Sequence, residues 1–108
     1  MDVANDDHEA RVAWLIRGLG GGRPHGPAQH REMQLAAERT VALAPSLQLE
    51  EAGDLEVLAA LCFVLGRHAG RVFNSPEVAA LRAREDLVPG LRLRRIVSLV
   101  LGRLPLAA

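Results

Sequence analysis

This 108-residue sequence contains no lysine, a single cysteine and very few aromatic residues, and its formal charge is zero. One cysteine, Cys62, excludes an internal disulfide and a zinc site built on a cysteine cluster. Aromatics amount to 3%, namely Trp14, Phe63 and Phe73. The core therefore has to be built from Leu, Val and Ala, which suits closely packed helices. All 13 basic side chains are arginine, against 13 acidic ones. That balance offers no global attraction for nucleic acid or an anionic membrane. The missing lysine reads first as codon usage in a GC-rich genome, and second as recognition by planar, bidentate arginine pairing. The longest apolar run, Val57 to Leu65, has nine residues, whereas crossing a bilayer takes roughly 20. The start, Met1-Asp2-Val3-Ala4-Asn5-Asp6-Asp7, is acidic where a secretory signal is basic and then apolar. These features predict a cytoplasmic protein that does not enter a membrane.

What the chain does have is apolar content of 49%, enough for a modest core, in one domain-sized length. The run Val57 to Leu65 shows no strand-like alternation and is apolar on every side, which marks a helix buried in the middle of a bundle. Around it, helix signals recur. Asn5, Asp6 and Asp7 predict a capped start, followed by a buried face of Val12, Leu15, Ile16 and Leu19. The stretch Gly18 to Pro27 then predicts a flexible loop. Pro27, with Gly26 before it, opens a second helix with Met33, Ala36, Ala37, Thr40, Val41 and Ala44 on one face, and Pro45 is expected to stop it. Leu47 and Leu49 pin the connector, and Asp54 is expected to cap the central helix, which frays at Gly66 and Gly70. Ser75-Pro76-Glu77 is the clearest start in the chain and predicts a helix to about Asp86 with Val78, Leu81 and Ala80 inward. Pro89 opens the last helix, whose Leu93, Ile96, Val97, Val100, Leu101 and Leu104 follow an unbroken helical period, and Pro105 ends it. No strand and no internal repeat is visible. The predicted class is all-α, a single compact bundle of about five helices, with residues 1–27 forming an N-terminal helix and loop and residues 28–108 the helical core.

Catalytic and metal chemistry find no support in the spacing. His25 and His30 are five apart with a loop between them, and Cys62 and His68 are six apart, so neither pair shares a helix face at i, i+3 or i+4. Cys62 sits among apolar neighbours, the wrong setting for a nucleophile. The glycine cluster follows a helix rather than a strand, and prolines separate it from the next helix, so it is not a phosphate cradle. No catalytic residue, cofactor, metal or small-molecule substrate is expected. Charge, however, segregates. Residues 1–56 hold 10 acidic side chains and 5 Arg, net −5, and residues 57–108 hold 3 acidic side chains and 8 Arg, net +5. This predicts either complementarity within the bundle or a dipolar surface for a protein partner or a second copy. On the last helix Arg92, Arg95 and Arg103 fall opposite the apolar stripe with Leu99 among them, the composition of an interface. Trp14 projects about 200° round from Val12 and serves either as a rim residue or as a partner anchor. Two helices joined by a turn between Val78 and Leu104, with Arg92, Arg94 and Arg95 early in the second, also suit a helix-turn-helix, although the acidic Glu77, Glu85 and Asp86 oppose DNA.

One further pattern spans residues 30–100. Ala44-Pro45-Ser46-Leu47 leads through Glu50-Glu51 to Asp54-Leu55, then Leu61-Cys62-Phe63-Val64-Leu65-Gly66, Val72-Phe73, Ser75-Pro76 and Leu87-Val88-Pro89-Gly90-Leu91-Arg92-Leu93. It resembles small helical proteins, and helical tails of larger ones, encoded beside bacterial type VI secretion effectors and their adaptors. Here Phe73 stands later after the glycine than in that group, and the tryptophan usual after the proline is absent. The resemblance implies an adaptor, chaperone or similar loading role without catalysis. The sequence therefore predicts a protein-binding accessory protein, with Arg92, Arg95, Leu99, Arg103 and Trp14 as the partner surface. A DNA-binding regulator and an immunity-type inhibitor are the alternatives.

Overall fold

In the computed structural model the backbone is described for residues 3–103 and the side chains for residues 7–102. Leu104 and Pro105, and the side chains of Asn5, Asp6 and Arg103, lie outside these ranges. Among the described residues every regular element is helical, with no strand, so the all-α class predicted from the apolar periodicity is observed. The order is α1 (Val3–Gly20), α2 (Pro27–Leu47), α3 (Ala52–Leu65), a 3-10 turn (Gly66–His68), α4 (Ala69–Phe73), α5 (Pro76–Arg82) and α6 (Pro89–Arg103). No described helix is long and apolar enough to cross a membrane. The chain forms two compact units, Met1–Gly66 and Arg67–Ala108.

In the first unit α2 packs on both α1 and α3, which also touch each other. The small residues expected on α2 make this close approach: Met33, Ala36, Ala37, Thr40 and Ala44 are all buried. Val12 and Leu15 of α1 meet Ala37 and Ala59 in a shared core, with Trp14, Ile16, Leu19, Val41 and Leu55 around it. Thr40 satisfies its buried hydroxyl by donating to the Ala36 carbonyl at 2.8 Å. Of the apolar run, Leu58, Ala59, Leu61, Cys62 and Leu65 are buried. Val57, Ala60 and Val64 instead form a solvent-facing stripe, and Phe63 is half-buried. An apolar composition all round does not reveal which side lacks a neighbour.

Helix ends follow the backbone more than the capping side chains. α1 begins at Val3, upstream of the acidic residues expected to cap it. It ends where Gly21 and Gly22 take positive φ angles of 59° and 74°, conformations that glycine enters freely. α2 starts with Gly26 as cap and Pro27 in the first turn, as expected. Pro45 does not stop it. A proline φ near −65° fits a helix, and losing one hydrogen bond in the last turn is tolerable, so α2 runs to Leu47. Gln48 terminates it at a left-handed φ of 58°, with its N–H directed to the carbonyls of Ala44 and Pro45. Leu47 and Leu49 are buried there. Glu51 rather than Asp54 precedes α3, and Asp54 lies in the first turn. Gly66, at φ 56°, breaks α3, and its carbonyl accepts a hydrogen bond from Arg39 Nη1 at 2.8 Å.

In the second unit helix resumes as α4, where the sequence suggested only a frayed end. Phe73 closes it and is 2% exposed, the most enclosed aromatic residue. Arg82 Nη1 donates to the Phe73 carbonyl at 3.1 Å. Ser75 stands at the cap of α5, but its hydroxyl donates backward to the Val72 carbonyl at 2.7 Å instead of capping the helix. Val78 is buried, Leu81 half-buried and Ala80 exposed. α5 stops at Arg82, four residues before the expected end, and packs against α6.

Candidate functional site

The face of α6 is set by Arg92. This side chain is 4% exposed, its Nε donates to the Arg84 carbonyl at 3.0 Å, and its Nη2 donates to the Leu87 carbonyl at 3.1 Å. The guanidinium thus closes the loop between α5 and α6 by satisfying two carbonyls that no helix serves. Turning Arg92 inward rotates the buried side of α6 by roughly 50° from the one predicted by apolar periodicity. Leu93, Ile96 and Val100 remain buried, Val97 and Leu99 are half-buried, and Leu101 is turned out to 48% exposure.

The partner surface drawn from the sequence is therefore only partly assembled. Arg95 is exposed, as expected. Arg92 is removed from the surface, because burial is rewarded by its two carbonyl partners. Leu99 is half-buried rather than the centre of an exposed patch. The Arg103 side chain lies outside the described residues. In their place the exposed arc carries Leu91, Arg94, Arg95, Ser98 and Leu101, spaced i, i+3, i+4, i+7 and i+10 along three turns. Leu91 at 42% exposure and Leu101 at 48% bracket the two arginines. Leu91, Arg94, Ser98 and Leu101 are the residues that periodicity alone missed. The signal that could have found them is the arginine immediately before the apolar period, in a position to reach loop carbonyls. Beside this arc, the exposed Arg84 holds Asp86 in a two-pronged ion pair, Nη2 to Oδ2 at 2.6 Å and Nε to Oδ1 at 3.1 Å. The Arg84 hydrogen bond keeps the Asp86 carboxyl below its ordinary range.

Trp14 belongs to the other unit. It packs half-buried against the Val12, Leu15, Ala37 and Ala59 core and borders a shallow cleft of about 580 Å³ with Arg11, Pro45 and Leu55. It thus covers a helix edge and keeps part of its ring at the cleft.

A larger cleft of about 890 Å³ opens between α1, the glycine loop and α2. Val12, Ala13 and Ile16 form its apolar floor, and His8, Arg17, Arg23, His25, His30 and Glu38 are on its walls. The loop brings together two histidines that sequence spacing kept apart. His25 Nε2 lies 2.8 Å from His30 Nδ1. The loop folds His25 back over the first turn of α2, a closure that helical spacing does not encode.

Other chemistries are not assembled. Among the described residues no three His, Cys, Asp or Glu side chains gather as a metal cluster. Cys62 is fully buried, and burial pushes its thiol up, with the neighbouring Thr40 hydroxyl and Arg39 charge pulling partly back. A thiol held neutral in this way is a poor nucleophile. No protein family, curated protein or solved structure matches this chain.

Proposed function

We propose that this chain is a non-catalytic protein-binding accessory module, adaptor- or chaperone-like in role. In this reading it grips an acidic, amphipathic surface of its partner through the exposed arc of α6. The observation that carries the reading is that arc: two adjacent arginines between two solvent-facing leucines on one side of a fifteen-residue helix. Interfaces use this combination, because apolar contacts supply energy once water is excluded while arginine makes planar, bidentate bonds at the edge. Charge supports the choice of an acidic partner. Residues 67–108 contain 8 Arg and 3 acidic side chains, net +5, whereas residues 1–66 contain 5 Arg and 10 acidic side chains, net −5. The sign of the sequence asymmetry thus coincides with the division between units. The resemblance to helical proteins encoded beside type VI secretion effectors gives this role its setting, the loading of a secreted effector in the bacterial cytoplasm.

Site-specific crosslinking tests the proposal. A photoreactive benzoylphenylalanine in place of Ser98 stands in the middle of the arc, and one in place of Gln34 on α2 serves as the control. In extract of the source cells the Ser98 probe is expected to give a protein adduct that maps to an acidic segment. The adduct should disappear in the Arg94→Glu/Arg95→Glu background and fade at high salt, where exposed charges are screened. An adduct with nucleic acid would favour the helix-turn-helix reading. An acidic-protein adduct that survives the double charge reversal would remove the arginines from the interface.

A further inference from the structure

We infer that His25 and His30 form a two-imidazole clasp for a borderline divalent transition metal such as Zn²⁺, Ni²⁺ or Cu²⁺. The clasp closes the glycine loop onto the first turn of α2. The inference is independent of the α6 interface and rests on the geometry of the histidine pair.

The two rings are inclined by only 7°, with centroids 5.0 Å apart. Since Nε2 of His25 and Nδ1 of His30 are 2.8 Å apart, the rings lie edge to edge in nearly one plane rather than face to face. Each directs one nitrogen at the other. Two imidazole nitrogens at this distance must share one proton, and the outer bonds say which ring supplies it. His25 Nδ1 makes a long 3.4 Å hydrogen bond to the Arg23 carbonyl. A carbonyl only accepts, so Nδ1 carries the hydrogen and Nε2 presents a lone pair. His30 Nδ1–H therefore donates into that lone pair. A carbonyl that fixes one ring nitrogen as donor and leaves the other as a base is the arrangement that orients metal-binding histidines.

Replacing the shared proton by a metal widens the pair and tilts the rings, because lone pairs that now face each other along the N–N line must each turn by roughly 35° to converge on one tetrahedral ion. Two Zn–N bonds of about 2.0–2.1 Å at a tetrahedral angle separate the nitrogens by about 3.3 Å, roughly half an ångström more than the present 2.8 Å. The loop can supply this. Residues 21 to 30 are exposed throughout, so no packed core opposes the movement. His30 then moves its proton from Nδ1 to Nε2 through solvent, so no net charge or electron is lost by the protein. No third His, Cys, Asp or Glu side chain is gathered with them among the described residues. Water completes the coordination, and the site is open and exchangeable, unlike a closed four-ligand structural zinc site. Imidazole ligands suit zinc, copper and nickel and do not suit magnesium or calcium.

The test is titration of the full chain with zinc chloride at pH 7.5, followed by ¹⁵N-correlated spectra of the imidazoles and by calorimetry. The expected result is one saturable site. The His30 signals should change from the Nδ1–H to the Nε2–H pattern, His25 should shift with them, and magnesium should have no effect. His25→Ala and His30→Ala, both exposed positions, should remain folded by circular dichroism and each weaken binding at least tenfold. His68→Ala should bind as the unaltered chain does. Zinc should raise the melting temperature of the unaltered chain and not of His25→Ala, because a ligand that binds only the folded state stabilises it. Zinc affinity unchanged in either His25→Ala or His30→Ala, or saturation without a change in the His30 tautomer, would overturn the inference.

Discussion

Replacing Arg92 by Met removes the guanidinium while keeping an apolar stem of similar length, and it isolates the contact that orients α6. The two bonds lost are those to the Arg84 and Leu87 carbonyls at 3.0 and 3.1 Å. A hydrogen bond involving a charged group contributes about 1.5–3 kcal/mol. One side chain makes both, and methionine recovers some packing, so the sum is not additive and a loss of about 3 kcal/mol is expected. That is a large share of a total stability of about 5–15 kcal/mol. At about 4–8 °C per kcal/mol for a small domain, the melting temperature should fall by roughly 12–24 °C. Arg95→Met removes the same charge from the exposed arc and should change stability by no more than about 0.5 kcal/mol. Arg92→Lys should fall between them, since one ammonium cannot reproduce the fixed fork of donors. Urea denaturation followed by circular dichroism reads all three. An Arg92→Met midpoint equal to that of the unaltered chain, with an unchanged slope, would refute the assignment of Arg92 as the loop anchor and with it the rotation of α6.

Other expectations concern single positions. Gln48 holds a left-handed φ of 58° at the end of α2, a conformation that costs a residue with a side chain about 1–2 kcal/mol. Gln48→Gly should therefore raise stability by about 0.5–1 kcal/mol in denaturant melts, and a lower midpoint would contradict the cap geometry. Phe73→Ala should cost about 3–5 kcal/mol, as expected for an enclosed aromatic ring. Phe63→Ala, at a half-buried site, should cost visibly less, and equal losses would argue against the two burial states. Cys62 should react with a thiol reagent only after denaturation, and rapid labelling of the native chain would contradict its burial. Because burial raises its folded value, the folded chain keeps the thiol proton longer than the unfolded one. Stability should therefore fall as pH rises from the ordinary thiol range toward the folded value. A Cys62→Ala chain with the same alkaline slope would show that another group causes it.

The parts of this fold written in the sequence are those that depend on local geometry. Pro27, Pro76 and Pro89 fix φ at a first turn, and the three helices start where those prolines stand. Val12 and Leu15, and Met33, Ala36, Ala37 and Thr40, are spaced so that only a helix can bury them together, and they are buried. Other features depend on groups that meet only in the folded chain. The long apolar run specified a helix without saying that Val57, Ala60 and Val64 would face outward. Pro45 marked an end that the helix passes, because the true stop is the left-handed backbone of Gln48. On α6 the apolar period named Leu93, Ile96 and Val100 correctly. The carbonyls of Arg84 and Leu87 then drew Arg92 inward and turned Leu101 out, an exchange invisible to hydrophobic spacing. The pairing of His25 with His30 likewise comes from the extended Gly26 that caps α2 between them, and not from helical spacing.

The orientation of α6 is the claim on which the interface rests, and cysteine accessibility along that helix measures it most directly. In a Cys62→Ala background, single cysteines at Leu91, Ser98 and Leu101 and at Ile96 and Val100 are exposed to a water-soluble maleimide, and labelling rates are compared. The account expects fast labelling at Leu91, Ser98 and Leu101 and slow labelling at Ile96 and Val100. Leu101 decides between the two faces. It is 48% exposed here but belongs to the inward stripe by apolar period alone, so slow labelling at Leu101, alongside Ile96 and Val100, would contradict the account.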